Sequence, residues 1–471
     1  MKFETPFNIA SIISLTFIVS ACGFQSYTAR PIDTKKVLET LQDRSTNNTE
    51  FQAYLSAQDY PENKLPISIW GENELTLSAL FFHPDLNLAR AQLKAAQASE
   101  ITAAERPEIG LNGSQDRHSQ HENKSPWTYH LGIDIPIVTA GKRDAQIARA
   151  SGLTEASRIE IAQAAWRVHS RVARTLLDYQ YLLKHCAILK NEVELRSLIS
   201  DMLVKRMDAG MASSIEVTNA RIALQKAEQA YISESGRIPV LGATLANDAG
   251  LSLSTFKKIK LKPYEQASTN GLDDLQYEAL INRLDIRASL ARYEAAEAKL
   301  RLEIAKQYPD IILSPSKTLD QGDKIWSLGF SSLLTLINKN RGMIAEATSL
   351  REVEIAQFEV LQAKVIGDLN ETKAAYLASI DAKIKAQSLA DTQQKRSQQT
   401  ERQFNAGFTD RLEFTNTKLE NIIAQEITLS TDYQVQIAKL NLEDVLQRPL
   451  DNRLTMPSNL DTESINENRN K

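Results

Sequence analysis

The stretch Lys205-Arg206-Met207-Asp208-Ala209-Gly210 decides the fold, because the second half of the chain repeats it. It is followed by Ile215-Glu216-Val217-Thr218-Asn219. The copy is Arg402-Gln403-Phe404-Asn405-Ala406-Gly407, followed by Leu412-Glu413-Phe414-Thr415-Asn416, at an offset of 407 − 210 = 197 residues. Upstream, Arg106-Pro107-Glu108-Ile109 is echoed by Tyr308-Pro309-Asp310-Ile311. A repeat of this length indicates a duplicated architectural unit.

Each copy also contains segments with the alternation of β-strands. Residues 127–137 place two aromatic residues, Leu131 and three isoleucines on one face, and polar, small or proline residues on the other. Residues 326–330 repeat this alternation. The pattern is typical of a transmembrane β-barrel strand, although a half-buried strand of a soluble sandwich shows it too. Two such hairpins, each flanked by long helical stretches, favour the barrel.

The segments that follow the hairpins are predicted to be helices of unusual length. Residues 141–207 and 339–404 contain no proline and little glycine, and at 1.5 Å per residue each helix would span about 100 Å. Gly210 and Gly407 then end these helices and send the chain back, since glycine is favoured where a helix terminates. Each copy is therefore predicted to be a β-hairpin joined to a long antiparallel α-hairpin.

These patterns divide the chain into six predicted segments. They are a lipoprotein signal peptide (1–21), a lipid-anchored extended segment (22–73), repeat 1 (74–250), a linker or equatorial region (251–272), repeat 2 (273–450) and a disordered polar tail (451–471). Repeat 1 contains a helix over 75–105, a β-hairpin at 107–137, the long helix 141–207 and a return helix. Repeat 2 contains a helix, a β-hairpin at 309–336, the long helix 339–404 and a return helix. The prolines and glycines of residues 237–270 indicate a bridge between the repeats.

Four strands per chain are too few for a membrane barrel. Open sheet edges are not tolerated in lipid, and bacterial barrels have at least eight strands. The chain must therefore oligomerise, and three copies would supply twelve strands, or else the membrane interpretation fails. Beyond residue 22 the sequence has no run that approaches 18 consecutive apolar residues, so a membrane crossing would be made by strands.

The N-terminus resembles that of an exported lipoprotein. Lys2 precedes an apolar run over residues 9–19, which is too short for a permanent membrane span and is typical of a signal peptide. Val19-Ser20-Ala21-Cys22 follows and resembles a bacterial lipobox, in which the cysteine is diacylated. The alternative is an ordinary signal peptide with an incidental Cys22. Gly23 stands where lipoproteins kept in the inner membrane often carry Asp, and its presence favours the outer membrane.

Composition and motifs exclude several classes of function. The chain is 42% hydrophobic and 24% charged, and its net charge of −4 argues against a nucleic-acid partner. It lacks a phosphate-cradling glycine loop, a Gly-x-Ser-x-Gly elbow and a His-Glu-x-x-His motif. His118 and His121 have a spacing that suits a metal ion, but a solvated polar loop is the simpler interpretation. We therefore predict a protein that is not an enzyme and uses no cofactor or resident metal.

The chain resembles the outer membrane efflux protein (TolC) family over residues 75–450. The resemblance lies in the duplicated Ala-Gly turn, in the Pro-Asp/Glu-Ile sequences before the hairpins, and in Asn338-Lys339-Asn340-Arg341-Gly342, which is similar to the strand-to-helix corner of many members. It implies a mostly α-helical fold with a small transmembrane β-barrel portion. It further implies a homotrimer with a twelve-stranded barrel in the outer membrane and a twelve-helix periplasmic tunnel. The implied partners are a periplasmic adaptor protein and an inner-membrane pump.

The resemblance also implies roles for individual residues. By register from Gly407, the periplasmic gate would be formed by Glu413 and Asn416, three residues apart on one helix face. Glu413 would form a ring of three like charges that attracts cations, or is only a solvated carboxylate at a helix start. Asp410 and Arg411 would contribute ion pairs that lock the gate. The tips that face the adaptor would contain Lys205, Asp208, Gly210, Arg402, Asn405 and Gly407.

Three functions from different classes follow from these features. An outer-membrane export channel is favoured by the strands, the long helices and the lipobox together. A lipid-anchored periplasmic scaffold or adaptor would share the helical hairpin, and a lipid-anchored surface enzyme would share the anchor but lacks a site. Lipidation points to a channel that serves a resistance-nodulation-division pump for drugs or other small molecules. Heavy-metal cation efflux and type I secretion are the alternatives.

Overall fold

The structure, a computed structural model, describes residues 25–42, 44–45, 48–58, 60–61, 65, 67–119, 125–263, 275–333 and 338–450. The predicted signal peptide, Cys22, His121 and the tail 451–471 lie outside these residues. The chain divides into two units at residues 43 and 44. The first contains helix α1 (Thr34–Gln42), whose residues are all exposed.

The second unit is mostly helical, and its elements follow one order twice: helix, two strands, very long helix, returning helix. Before the first copy come α2 (Thr49–Ala57), β1 (Ile69–Trp70) and α3 (Glu72–Phe82). The first copy contains α4 (Pro84–Ala104), β2 (Gly110–Arg117), β3 (Trp127–Ile137), α5 (Lys142–Asp208) and α6 (Ser214–Asp248). A short link follows, with α7 (Leu253–Phe256) and β4 (Lys260–Leu261). The second copy contains α8 (Leu275–Asn282), α9 (Leu284–Ala305), β5 (Ile311–Asp320), β6 (Asp323–Ser332), α10 (Arg341–Asn405) and α11 (Arg411–Leu446).

The two β-hairpins form one antiparallel sheet in the order β2-β3-β5-β6. Leu111 pairs with Ile133, Ile135 with Leu313, and Leu313 with Phe330, so these apolar residues from all four strands share one face. This face is exposed: Trp326 and Phe330 are 76% and 80% accessible. The outer edges of β2 and β6 have no strand partner among the described residues. Within this part of the chain, helices of the length and apolarity needed to cross a membrane are lacking.

The segment before repeat 1 is not extended as predicted. Residues 49–57 form α2, which Asn48 caps by accepting hydrogen bonds from the backbone N–H groups of Glu50 and Phe51. Phe51, Tyr54 and Leu55 are buried because their i, i+3, i+4 spacing puts them on one helix face. The polar residues around this short apolar stripe concealed it in the sequence.

The helix predicted over residues 75–105 is two helices, α3 and α4, separated at His83. Proline disfavours the helical conformation in the residue before it, and His83 before Pro84 is extended at φ −71° and ψ 131°. Its imidazole then caps α4, because Nδ1 accepts a hydrogen bond from the backbone N–H of Asp85 at 3.2 Å.

The prediction that a bridge between the repeats begins at residue 237 is also wrong, since α6 continues through Pro239 to Asp248. Leu245 and Ala246 are buried near the end of α6, where they pack in the larger hydrophobic core and hold this end of the helix in place. Gly250 ends the segment with φ +70°, and a Cβ atom there would lie 2.7 Å from the Cβ of Phe82. Backbone conformation and close packing therefore both require glycine at this position.

Two hydrophobic cores hold the helices together. The larger one packs Phe51, Trp70 and Leu80 against the middle of α5, around Val168 and Val172. The second lies where α8 to α11 meet and contains Ile286, Leu369, Tyr376 and Leu442. Since α5 also contacts α4, α6, α9 and α11, it is the central element of the unit.

Truncation of Phe51 tests whether α2 belongs to the larger core. Phe51→Ala is expected to cost about 3–5 kcal/mol of unfolding free energy, because the ring is fully buried against Trp70, Phe81 and Phe82. Thermal unfolding of the purified protein measures this loss, and Ser56→Ala on the exposed side of the same helix is the control, expected to change the free energy by less than about 0.5 kcal/mol. Equal losses in the two variants would contradict this packing.

Candidate functional site

The two repeated turns, at residues 209–211 and 406–408, have the same backbone structure. In the first, Met211 donates its N–H to the carbonyl of Arg206 at 2.7 Å, and Gly210 donates to Met207 at 2.9 Å. In the second, Phe408 donates to Gln403 and Gly407 to Phe404, at 2.8 and 3.0 Å. This is the Schellman arrangement, and Gly210 and Gly407 have the positive φ that it needs, +71° and +79°.

The helices that start after the turns are capped differently in the two copies. In the first copy, Ser213 accepts from the N–H of Glu216, and the Glu216 carboxylate accepts in return from the backbone N–H of Ser213 at 2.7 Å. The hydrogen bond from that backbone N–H, followed by the one from the Ser213 hydroxyl, lowers the pKa of Glu216. In the second copy Asp410 takes the position of Ser213, and Glu413 accepts instead from the hydroxyl of Thr409 at 2.5 Å. A carboxylate thus replaces a hydroxyl at the second tip.

Asp410 joins the two tips. Its Oδ1 accepts from the N–H of Glu413 at 2.8 Å, and its Oδ2 accepts from Nη2 of Arg206, also at 2.8 Å. The Glu413 N–H, followed by the Arg206 guanidinium, lowers the pKa of Asp410. The last turn of α5 is therefore tied to the first turn of α11 by an ion pair between the repeats.

Of the other predicted gate and tip residues, Glu413 contacts this pair through its backbone N–H, which donates to Asp410. Glu413, Asn416 and Arg411 are exposed on the first turns of α11, and the predicted tip residues Lys205, Asp208, Gly210, Arg402, Asn405 and Gly407 are exposed around the turns. Sequence analysis did not select Arg206, because its partner comes from the other repeat. It also missed the apolar character of the tips, where Met211 and Phe408 are 73% and 85% accessible.

Above the tips, a polar seam joins α5 to α11. Tyr433 donates to Asp178 at 2.8 Å, and His185 Nε2 lies 3.1 Å from the Glu426 carboxylate. Nearer the sheet, Arg174 donates to Asn441 at 2.7 Å. Burial, followed by the hydrogen bond to Asp178, raises the pKa of the Tyr433 phenol, so this side chain remains a donor at any physiological pH. The seam crosses from repeat 1 to repeat 2.

The strand-to-helix corners have the same geometry in both copies. Two successive residues with positive φ precede each long helix, Ala140 and Gly141 before α5, and Lys339 and Asn340 before α10. Asn340 donates from Nδ2 to the carbonyl and to the carboxylate of Glu303, at 2.8 and 3.0 Å. The sequence predicted a corner at residues 338–342, but not the residue that holds it.

Glu303 is a fully buried carboxylate at this corner. Burial raises its pKa, but hydrogen bonds from Lys299, Lys306 and Asn340 outweigh this effect and lower the pKa to about 2. The two lysine Nζ atoms lie 2.5 and 2.9 Å from Oε1. Glu303 therefore remains charged and fixes the end of α9 against the start of α10.

The corner of repeat 1 is attached to the strand that begins repeat 2. Lys142 donates from Nζ to the Asp310 carboxylate at 2.7 Å and to the carbonyl of Tyr308 at 2.5 Å. Thr139 donates its N–H to the same carboxylate at 2.9 Å. Burial raises the pKa of Asp310, whereas the bonds from Lys142 and Thr139 lower it, with a net decrease. The Pro-Asp motif before β5 thus anchors the start of α5.

The face of the sheet opposite the apolar one carries a ladder of hydrogen-bonded polar side chains. Asp134 accepts from Asn112 at 2.9 Å and from Ser314 at 2.6 Å. Nearer the hairpin turns, Thr128 donates to Asp320 at 2.5 Å, and His118 Nε2 lies 2.9 Å from the Thr128 hydroxyl. Among the described residues, groups of three or more His, Cys, Asp or Glu side chains that could hold a metal ion are absent.

The fold is that of outer-membrane channels of known structure. VceC from Vibrio cholerae superposes with a TM-score of 0.66 at 19% identity, over 81% of this chain and 97% of that protein. The CmeC outer membrane channel of Campylobacter jejuni superposes with a TM-score of 0.64 at 14% identity, over 90% of this chain and 93% of that one.

The sequence profile of the outer membrane efflux protein family matches residues 75–239 and 275–446, one segment in each half of the chain. The chain belongs to the outer membrane efflux protein family. It is also similar to the cobalt-zinc-cadmium resistance protein CzcC of Cupriavidus metallidurans, at 22% identity over 271 residues. That match covers 57% of this chain and 64% of CzcC, less than two thirds of the relative's length.

Neutralisation of Glu303 tests the corner. Glu303→Gln is expected to cost about 2 kcal/mol at neutral pH, because two lysines lose their buried counter-charge. Since the folded pKa of about 2 lies below the ordinary value of 4.5, the stability that the wild type gains over the variant is complete above about pH 5 and is lost as the pH falls toward 2. Thermal unfolding across this pH range measures the difference. The exposed Glu155→Gln is the control, and a difference independent of pH would contradict the charged state assigned to Glu303.

Proposed function

We propose that three copies of this chain form a passive channel from the periplasm to the outside of the cell. In this assembly the four-stranded sheets close into a twelve-stranded barrel in the outer membrane, and the helical hairpins form a twelve-helix periplasmic tunnel. The observation that carries the proposal is the sheet, whose apolar face is exposed while its other face is polar. A barrel in lipid has this distribution, and its closure satisfies both open edges.

Aromatic residues support the membrane position of the barrel. Trp127, Tyr129 and Trp326 lie on the apolar face toward the hairpin turns, and Arg117 and Lys317 lie over the two tryptophan rings, 5.6 and 4.9 Å from the ring centroids. Aromatic girdles of this kind occur at the membrane–water boundary of barrels. We propose that diacylated Cys22 adds a lipid anchor on the periplasmic side.

The tips would form the gate and the docking site of a periplasmic adaptor protein. The Arg206–Asp410 pair supports a closed gate, because it holds the second helical hairpin against the first. Glu413 is exposed beside it and would place three carboxylates around the axis. The apolar Met211 and Phe408 would contribute contact area to the adaptor.

For the cargo, we propose drugs or other small molecules delivered by a resistance-nodulation-division pump. Heavy-metal cation efflux is a second candidate, which the similarity to CzcC favours. In both cases the pump supplies the energy and the chain acts as a conduit.

Channel formation is tested by conductance. The purified full-length protein is expected to run as a trimer and to give single-channel currents in planar bilayers, because only a closed barrel satisfies the sheet edges in lipid. Cross-linking and current recording on the same preparation measure both properties. A folded trimer that conducts no ions would contradict the proposal.

The gate is tested by removal of the tip ion pair. Arg206→Gln and Asp410→Asn are each expected to raise the open probability by up to about fivefold per chain, since an exposed pair contributes at most about 1 kcal/mol. The control is Arg396→Gln, which breaks the 2.6 Å pair with Glu420 inside the second hairpin and is expected to leave opening unchanged. Equal opening in all three variants would show that the tip pair does not hold the gate.

A further inference from the structure

Residues 256–263, between the two repeats, form a basic segment that neither the channel nor its gate uses. Their sequence, Phe-Lys-Lys-Ile-Lys-Leu-Lys-Pro, contains four lysines within six positions. Ile259 and Leu261 pack against the larger core, while Lys258, Lys260 and Lys262 are exposed. Lys260 lies in β4, which pairs in parallel with β1, whereas Lys257 and Lys258 lie in the turn that precedes β4.

Two of these lysines line a cleft of about 570 Å³, which we call the basic cleft. Trp70, Ser68 and Thr255 are among the residues that line it with Lys258 and Lys260, and the described residues of the lining include no carboxylate. Within the described part of the chain, neither Lys258 nor Lys260 has a carboxylate partner. The basic cleft therefore combines two lysine charges that lack a carboxylate partner in the described chain with hydroxyl groups, and these groups suit an anionic ligand with a polar body.

The position of the basic cleft along α5 restricts the source of the anion. Gln180 donates from Nε2 to the carbonyl of Lys262 at 2.8 Å. It lies 180 − 142 = 38 residues beyond Lys142, where α5 leaves the sheet, which is about 57 Å along the helix axis. The Debye length at physiological salt is only about 8 Å. If the sheet lies in the outer membrane, as the proposed function requires, lipid headgroups are too far away to be the ligand.

We propose that the basic cleft binds the carboxylates of peptidoglycan peptide stems. Peptidoglycan is the carboxylate-bearing polymer at this depth between the two membranes, and its short peptides present acidic groups on a flexible chain. Lys258 and Lys260 would bind the carboxylates, Lys257 would add to the local potential, and the Ser68 hydroxyl would bind the polar stem. The channel would then be held to the cell wall halfway along its helices.

The test is co-sedimentation of the full-length trimer with purified sacculi. The wild type is expected to sediment with native sacculi, and this binding should weaken as salt is added. The variant K257Q/K258Q/K260Q is expected to lose at least about tenfold in affinity, because it removes three exposed charges and each changes binding to an anionic surface several-fold. The control variant K184Q/K190Q/K226Q removes three exposed lysines from α5 and α6 and should bind as the wild type does.

Two further arms distinguish the source of the anion. Amidation of the sacculus carboxylates is expected to weaken binding of the wild type. The remaining affinity should be no higher than the affinity of the cleft variant for native sacculi. Anionic phospholipid vesicles in place of sacculi should bind the wild type less tightly than native sacculi do at the same salt concentration. Equal sedimentation of the wild type and the cleft variant with native sacculi, or tighter binding of the wild type to vesicles than to sacculi, would overturn the proposal. Unchanged conductance of the cleft variant in planar bilayers shows that the channel itself is intact.

Discussion

The structure depends on one constraint: its four-stranded sheet has an apolar face and two edges that need partners. The sheet has an apolar face that the described chain leaves uncovered and two edges whose backbone groups lack strand partners. In water such a sheet would aggregate, and in lipid its edges would leave hydrogen-bonding groups unsatisfied at a cost of several kcal/mol each. Only closure with further strands satisfies both conditions. In the proposed trimer, neighbouring copies would supply the strands that one chain lacks.

The corners transmit this constraint to the helices. A strand that leaves the sheet must change direction within a few residues, and both copies do so with two consecutive residues of positive φ. For Ala140 this conformation is unfavourable by about 1 kcal/mol or more, and the surrounding contacts compensate for it. Lys142 and Asp310 fix one corner, and Glu303 and Asn340 fix the other. Lys142 and Glu303 are both buried, so water cannot easily replace their ion pairs. These ion pairs therefore fix the direction in which each long helix leaves the sheet.

The periodic features of the fold could be predicted from the sequence, whereas contacts between distant segments could not. The β-hairpins, the two long helices and the glycine turns lie where alternation, helix length and Ala-Gly indicated them. Predictions failed where one residue outweighed a pattern, as at Pro84, which divides a helix, or where a stripe was short, as in α2. At Pro239 the prediction failed in the opposite sense, because α6 continues through this proline to Asp248. The Arg206–Asp410 pair spans 204 residues, and no local pattern indicates such a partner.

The replacement of Ser213 by Asp410 between the copies breaks the equivalence of the two halves at the end farthest from the sheet. The two backbone turns have the same hydrogen bonds, but their caps differ. Ser213 caps the first tip together with Glu216 of its own helix, whereas Asp410 at the second tip is bound by Arg206 of the other repeat. Around a threefold axis the rim would therefore alternate in chemistry, with six positions but only three of each kind. A ring of identical subunits that binds this rim would contact two chemically different sites in alternation. This alternation would fix the rotational register of the ring on the rim.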